Sequence, residues 1–175
     1  MFKEERETLQ FCWKDLGNIQ EGRPNLGNST SVTIYRLMQY TLRDVLIRNF
    51  GPDTAGKIYY EAGKKSGEEF CRNLLNIDLE FNEFIAEMQK KLKEHCVGIF
   101  RVEEADPDCL EMMITVAEDL DCSGLPLTDE TVCDYDEGFI AGILNAYTGE
   151  PFDVKEVDCW ATGARVCRFK AIKKG

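Results

Sequence analysis

Three cysteines and a glutamate near the end of the chain, Cys133, Glu156, Cys159 and Cys167, constrain it more than any other feature. They are interspersed with aromatic and small residues in the run VCDYDEGFIAGILNAYTGEPFDVKEVDCWATGARVCRF. Thiolates and a carboxylate are the donor types that close a tetrahedral zinc site, and four protein ligands leave no position for water or substrate. A metal held this way clamps a fold and does no chemistry of its own. The chain has no CxxC pair, and small buried cysteines are also ordinary core residues. On spacing alone, metal and packing both stand.

The spacing carries a further demand. Glu156 and Cys159 are three residues apart, so on a flat strand they face opposite sides. They can share one ion only if the strand bulges or ends near Val157–Asp158. Glu137, one helical turn beyond Cys133, is a rival carboxylate. Cys12, Cys71, Cys96, Cys109 and Cys122 lack partners at ligand spacing and read as packing residues.

The 175 residues suit one domain with a real core. A net charge of −11 argues against a nucleic-acid surface, which should be basic, and against docking on anionic lipid. No stretch approaches the ~20 apolar residues of a membrane span. The opening MFKEERETLQ lacks the apolar run of a signal peptide. A cytoplasmic location is expected, and with it eight cysteines that are thiols or metal ligands and not disulfides.

Along the chain, the alternation Leu9, Phe11, Trp13 predicts a half-buried strand within 7–16. Gly17–Asn28 predicts a loop. Ile34, Leu37, Met38, Leu42, Val45 and Leu46 then recur at helical spacing, with Ser29, Thr30 and Ser31 as candidate caps and Gly51-Pro52 as the stop. A second helix is predicted over 53–73, with Gly56, Gly63 and Gly67 inside it. A third is predicted over 79–95, ending at the lone histidine, His95, a solvated helix-end residue. The period then changes to two, and 97–104 and 109–117 predict a hairpin. Thr128 is expected to cap a helix whose first turn contains Asp129 and Glu130 and which runs to about Tyr147. In it, Gly138 and Gly142 share one face, as close helix packing requires. Strands over 152–160 and 165–172 close the chain. The order predicts an α+β fold, an antiparallel sheet with helices packed on it.

The residues Cys133, Tyr135-Asp136-Glu137-Gly138-Phe139-Ile140-Ala141-Gly142, Glu156, Cys159, Gly163, Cys167 and Phe169 resemble the 4-vinyl reductase domain family. So do Arg23-Pro24-Asn25-Leu26-Gly27, Tyr35-Arg36-Leu37 and the stretch Tyr60–Gly67. The resemblance spans nearly the whole chain. It implies one domain over 1–175, with an opening segment (1–30), a helical part (31–95) and a sheet and metal part (96–175). It implies a fold similar to haem nitric-oxide sensors and TRAPP subunits, related to the sensor domains of aromatic-responsive regulators. It also implies a structural Zn2+ on Cys133, Glu156, Cys159 and Cys167, the family spacing selecting Glu156 over Glu137.

The function so implied is a small-molecule-binding, sensor-like domain for a small hydrophobic or aromatic ligand. Tyr59, Gly63, Phe84 and Met88 are the expected pocket residues, between the second and third helices and the sheet. A homodimer through the N-terminal segment and first long helix is expected, with no nucleic-acid or membrane partner. Two alternatives stand beside it: an interaction scaffold with a TRAPP-like fold, and a reductase of a tetrapyrrole vinyl group. No GxGxxG or GxxxxGK[ST] run or other catalytic set is present, so catalysis has no sequence support beyond the family's name.

Overall fold

A computed structural model describes residues 10–106 and 111–175. The chain divides into two compact units, Met1–Val45 and Leu46–Gly175.

In the first unit the expected opening strand gives way, over its described part, to a 3-10 turn at Trp13–Leu16. Asp15 is the cause. Its carboxylate accepts the Cys12 backbone N–H at 3.0 Å, a local bond that competes with strand pairing. Leu9 lies outside the described residues. The predicted loop over 17–28 contains one helical turn, α1 (Ile19–Gly22), where Asn18 accepts the Glu21 N–H at 3.1 Å. The long helix α2 (Val32–Phe50) follows, capped by Ser31, whose hydroxyl accepts from the Ile34 N–H at 3.3 Å. Gly51 closes it with a positive φ of 81°, and Pro52 opens the next helix.

The second unit holds α3 (Pro52–Leu74), α4 (Phe81–Glu94), β1 (Ile99–Asp106), β2 (Glu111–Ala117), α5 (Asp134–Thr148), β3 (Phe152–Asp158) and β4 (Cys167–Lys173). The strands form one antiparallel sheet in the order β1-β2-β4-β3. The predicted α+β class is the observed one. Phe84, Ile85, Met88 and Leu92 recur along one face of α4 and are buried. Phe152, Val154 and Glu156 alternate inward on β3, and Cys167, Phe169 and Ala171 on β4. α4 packs on β1, α5 on β3, and α3 on α5.

The α3–α5 contact explains the glycines. A side-chain carbon at Gly63 would collide with the Tyr135 carbonyl oxygen, and one at Gly67 with that of Phe139. The relation is reciprocal: Gly138 lies against the Tyr60 carbonyl and Gly142 against that of Lys64. Two pairs of glycines four residues apart thus interlock, and the backbones approach as only glycine permits. The packing expected of Gly138 and Gly142 is present, and α3 supplies its other half.

α5 begins later than predicted. Thr128 does not cap it: its N–H donates to the Ala161 carbonyl at 2.6 Å, tying residues 125–132 to the turn after β3. Cys133 takes the cap position, and Asp134, Asp136 and Glu137 fill the first turn. Acidic side chains there suit the positive end of the helix dipole, as Asp129 and Glu130 were expected to do.

Candidate metal centre

Four cysteines from four places in the chain converge. Cys133 caps α5, Cys159 follows β3, Cys167 opens β4, and Cys122 comes from the loop after β2. All four are fully buried, and their sulfurs lie within 4.8 Å of one another. Cys133 Sγ is 3.9 Å from both Cys159 Sγ and Cys167 Sγ. Zinc–sulfur bonds of about 2.3 Å give tetrahedral edges of about 3.8 Å, so these two spacings already match the edges of such a site. Cys122 Sγ is closer, 3.0 Å from Cys167 Sγ, and needs an outward shift of about 0.8 Å to take a corner. The donor set fits a thiophilic ion.

Each approach has a local cause. β3 carries a register shift between Glu156 and Asp158, at the bulge that the spacing of Glu156 and Cys159 required. After it, the Cys159 carbonyl accepts from the Thr162 N–H at 3.1 Å, the Thr162 hydroxyl at 3.0 Å and the Ala164 N–H at 3.1 Å, which curls the chain under the sheet edge. Cys167 pairs with Val116 on β2. Cys122 is delivered by Asp119, whose Oδ1 accepts the N–H groups of Asp121 and Cys122, each at 2.9 Å. Leu120 N–H donates to the Val97 carbonyl at 2.9 Å and Trp160 Nε1 to that of Leu125 at 3.2 Å, so this loop is pinned at both ends.

Cys122, which spacing left as a packing residue, thus joins the cluster where Glu156 was expected. The signal that could have found it is the Asp119-x-x-Cys122 step, since an aspartate commonly turns the backbone two or three residues on. Glu156 is beside the cluster. Its Oε2 accepts the Cys133 N–H at 3.3 Å, and its buried Oε1 has no hydrogen-bond partner among the described residues. Burial, then the charges of Cys159 and Cys167, push its carboxyl up to about 10. Among the thiols, hydrogen bonds from Cys122, Cys133 and Cys167 hold Cys159 far down. Contacts with Cys122, Cys159 and Cys167, and then burial, push Cys133 up. Negative charge therefore gathers on Cys159.

Glu137, the rival carboxylate, is engaged elsewhere. It accepts the Glu156 N–H at 2.8 Å and pairs with Lys155 Nζ at 2.8 Å, joining α5 to β3. Behind the cysteines lies a second group. Asp119 and Asp136 each offer a carboxylate oxygen that, with Cys133 Sγ, falls within 4.8 Å. Burial and then the charge of Asp121 push Asp119 up to about 6, and burial with Asp119 and Asp121 pushes Asp136 well above the carboxylate range.

Residues 112–173 match the family model of the 4-vinyl reductase (4VR) domain. The chain belongs to the 4-vinyl reductase domain family. A relative in Methanocaldococcus jannaschii is 26% identical over 145 residues, covering 83% of this chain and 79% of its own. The 4-vinyl reductase domain fold recurs in solved structures. One is the phenol-responsive sensory domain of the transcription activator PoxR with phenol (TM-score 0.65, 15% identity, 76% of this chain and 71% of that one). Another is a vinyl-4-reductase family protein from M. jannaschii (0.62, 17%, 97% and 99%). A third is a trafficking protein particle complex subunit 3 from Naegleria fowleri covalently bound to palmitic acid (0.65, 14%, 82% and 95%).

The four expected pocket residues sit as follows. Phe84 and Met88 lie in the core cluster, Phe84 stacked on Tyr147 with ring centroids 3.8 Å apart. Tyr59 is buried on α3 but is not part of that cluster. Gly63 faces the α5 backbone. Of the remaining cysteines, Cys71 is core, Cys12 half-buried and Cys96 exposed, while Cys109 lies outside the described residues. His95 is exposed at the end of α4.

Proposed function

We propose that this 4-vinyl reductase domain protein is a cytoplasmic small-molecule-binding domain of the sensor kind, braced by one structural zinc. The observation that carries the reading is the buried convergence of Cys122, Cys133, Cys159 and Cys167. It joins the start of α5 to the sheet at the point where β3 bulges and β4 begins. Zinc there would neutralise thiolates and hold α5, the β2–α5 loop and the sheet in register, contributing directly to folding. Cys133, Cys159 and Cys167 supply three ligands. Cys122 supplies the fourth, with Glu156 as the alternative through its partnerless Oε1.

X-ray absorption at the zinc edge tests this. A shell of four sulfurs assigns Cys122. A shell of three sulfurs and one oxygen assigns Glu156. Metal analysis without one zinc per chain removes the reading.

The ligand class follows the PoxR likeness and the apolar core beneath α4. A small hydrophobic or aromatic molecule would lie beside Phe84 and Met88, with Tyr59 and Gly63 on α3 shaping the approach. A ligand that binds only the folded state raises its melting temperature by mass action. A thermal-shift screen with phenols and other small apolar compounds should give binders, and Phe84→Trp should abolish the shift. Uniformly flat profiles would count against ligand binding and favour a scaffold. That second reading has its own observation: Ile34, Leu37, Met38, Leu42 and Val45 on α2 are exposed. We assign that face to a homodimer, the commonest symmetric assembly.

A further inference from the structure

Asp136 lies on the first turn of α5, three residues beyond Cys133. Its Oδ2 is buried and has no hydrogen-bond partner among the described residues. An orphaned carboxylate oxygen costs more than almost any other buried atom unless something positive meets it. Asp119 is turned toward the same place. It is 3% exposed, and its Oδ1 is fixed by the N–H groups of Asp121 and Cys122.

A carboxylate oxygen from each aspartate and Cys133 Sγ lie within 4.8 Å of one another, the span of three ligands around one ion. Both aspartates also line a small cavity of about 20 Å³, walled as well by Leu92, Val97, Phe100, Val116, Phe139 and Ile140. That volume holds about one water molecule.

We propose that Asp119, Asp136 and Cys133 form a second metal site, for a divalent transition-metal cation, with Cys133 bridging it to the cysteine cluster. The donor set of two oxygens and one sulfur suits a borderline ion such as Zn2+, Co2+ or Fe2+ and disfavours Mg2+ and Ca2+, which take oxygen alone. Three protein ligands and one water describe an open site, unlike the closed one beside it. Its open position faces an apolar cavity. The site depends on the cysteine-cluster reading only through the shared Cys133.

Cobalt(II) titration of the full chain, read by equilibrium dialysis and by thiolate-to-cobalt absorption, tests the proposal. Wild type should bind two cobalt ions per chain. Asp136→Asn should bind one while keeping the full thiolate absorption, because the four cysteines are untouched. Asp119→Asn provides the same reading if the first variant does not fold. One cobalt in wild type overturns the second site and leaves the cysteine cluster standing. Two in wild type and two in Asp136→Asn also overturn it, by placing the second ion elsewhere. No bound cobalt would remove both sites.

Discussion

Glu137 shows how one side chain on α5 fixes the edge of the site. Its two oxygens take the Glu156 N–H and the Lys155 ammonium, so β3 is held at the residue before its bulge. The Lys155 end is exposed, and such pairs contribute little. The Glu156 N–H is buried, and leaving a buried donor unsatisfied costs about 1–3 kcal/mol. Glu137→Ala should therefore destabilise by about that amount, while Lys155→Ala should cost less than about 1 kcal/mol; urea midpoints of the two variants check the ranking. Cys71 allows a second residue-scale test. Burial raises its thiol from 9.0 to about 11. A group held protonated in the folded state contributes stability that is whole below its unfolded value and is lost as pH climbs through its folded one. Stability should thus fall through this thiol between pH 9 and about pH 11. Urea unfolding across that window should show a shallower decline in Cys71→Ala than in wild type.

At the scale of elements, the α3–α5 contact decides where Cys133 stands, because α5 is located by its glycine interlock with α3. Alanine normally stabilises a helix over glycine by about 1 kcal/mol. At Gly142 the added carbon meets the Lys64 carbonyl, a backbone atom that cannot turn aside. Overpacking of that kind costs about 1–3 kcal/mol or more, so Gly142→Ala should lower the melting temperature. Gly56 is the control. Its added carbon would approach Asp134 Oδ1 at 3.1 Å, the far end of a side chain that can turn aside. Gly56→Ala should be neutral or stabilising by up to about 1 kcal/mol, and calorimetry on the pair separates close approach from simple helix propensity.

For the whole molecule, two properties invite measurement. Met38 is 65% exposed and Leu37 57% on one face of α2, and removing such side chains from water in a dimer would return about 25 cal/mol for each Å² of apolar surface. Light scattering at micromolar concentration should give twice the 20.0 kDa chain mass, and Leu37→Glu with Met38→Glu should return it to one. The cysteine cluster predicts that a strong chelator lowers the melting temperature, and that Cys159→Ser reproduces the loss without chelator. None of the described helices is long and apolar enough to cross a membrane.

Much of this was legible in the chain because it rests on local patterns. Helical spacing, the Gly51-Pro52 stop and the change to period two marked α2 to α4 and the hairpin, since burial of one face imposes the same periodicity on any helix or strand. The bulge at Val157 was readable too, from two ligand-type residues three apart that had to face one way. Other features depended on bonds that periodicity does not report. Trp13–Leu16 turned because Asp15 took a backbone N–H. α5 began at Asp134 because Thr128 was drawn to Ala161. Cys122 stands 45 residues from Cys167, and only the folding of β2 beside β4, with Asp119 turning the loop, puts their sulfurs in contact. Sequence spacing ranks ligands by neighbours along the chain, whereas a buried metal site selects them by neighbours in space.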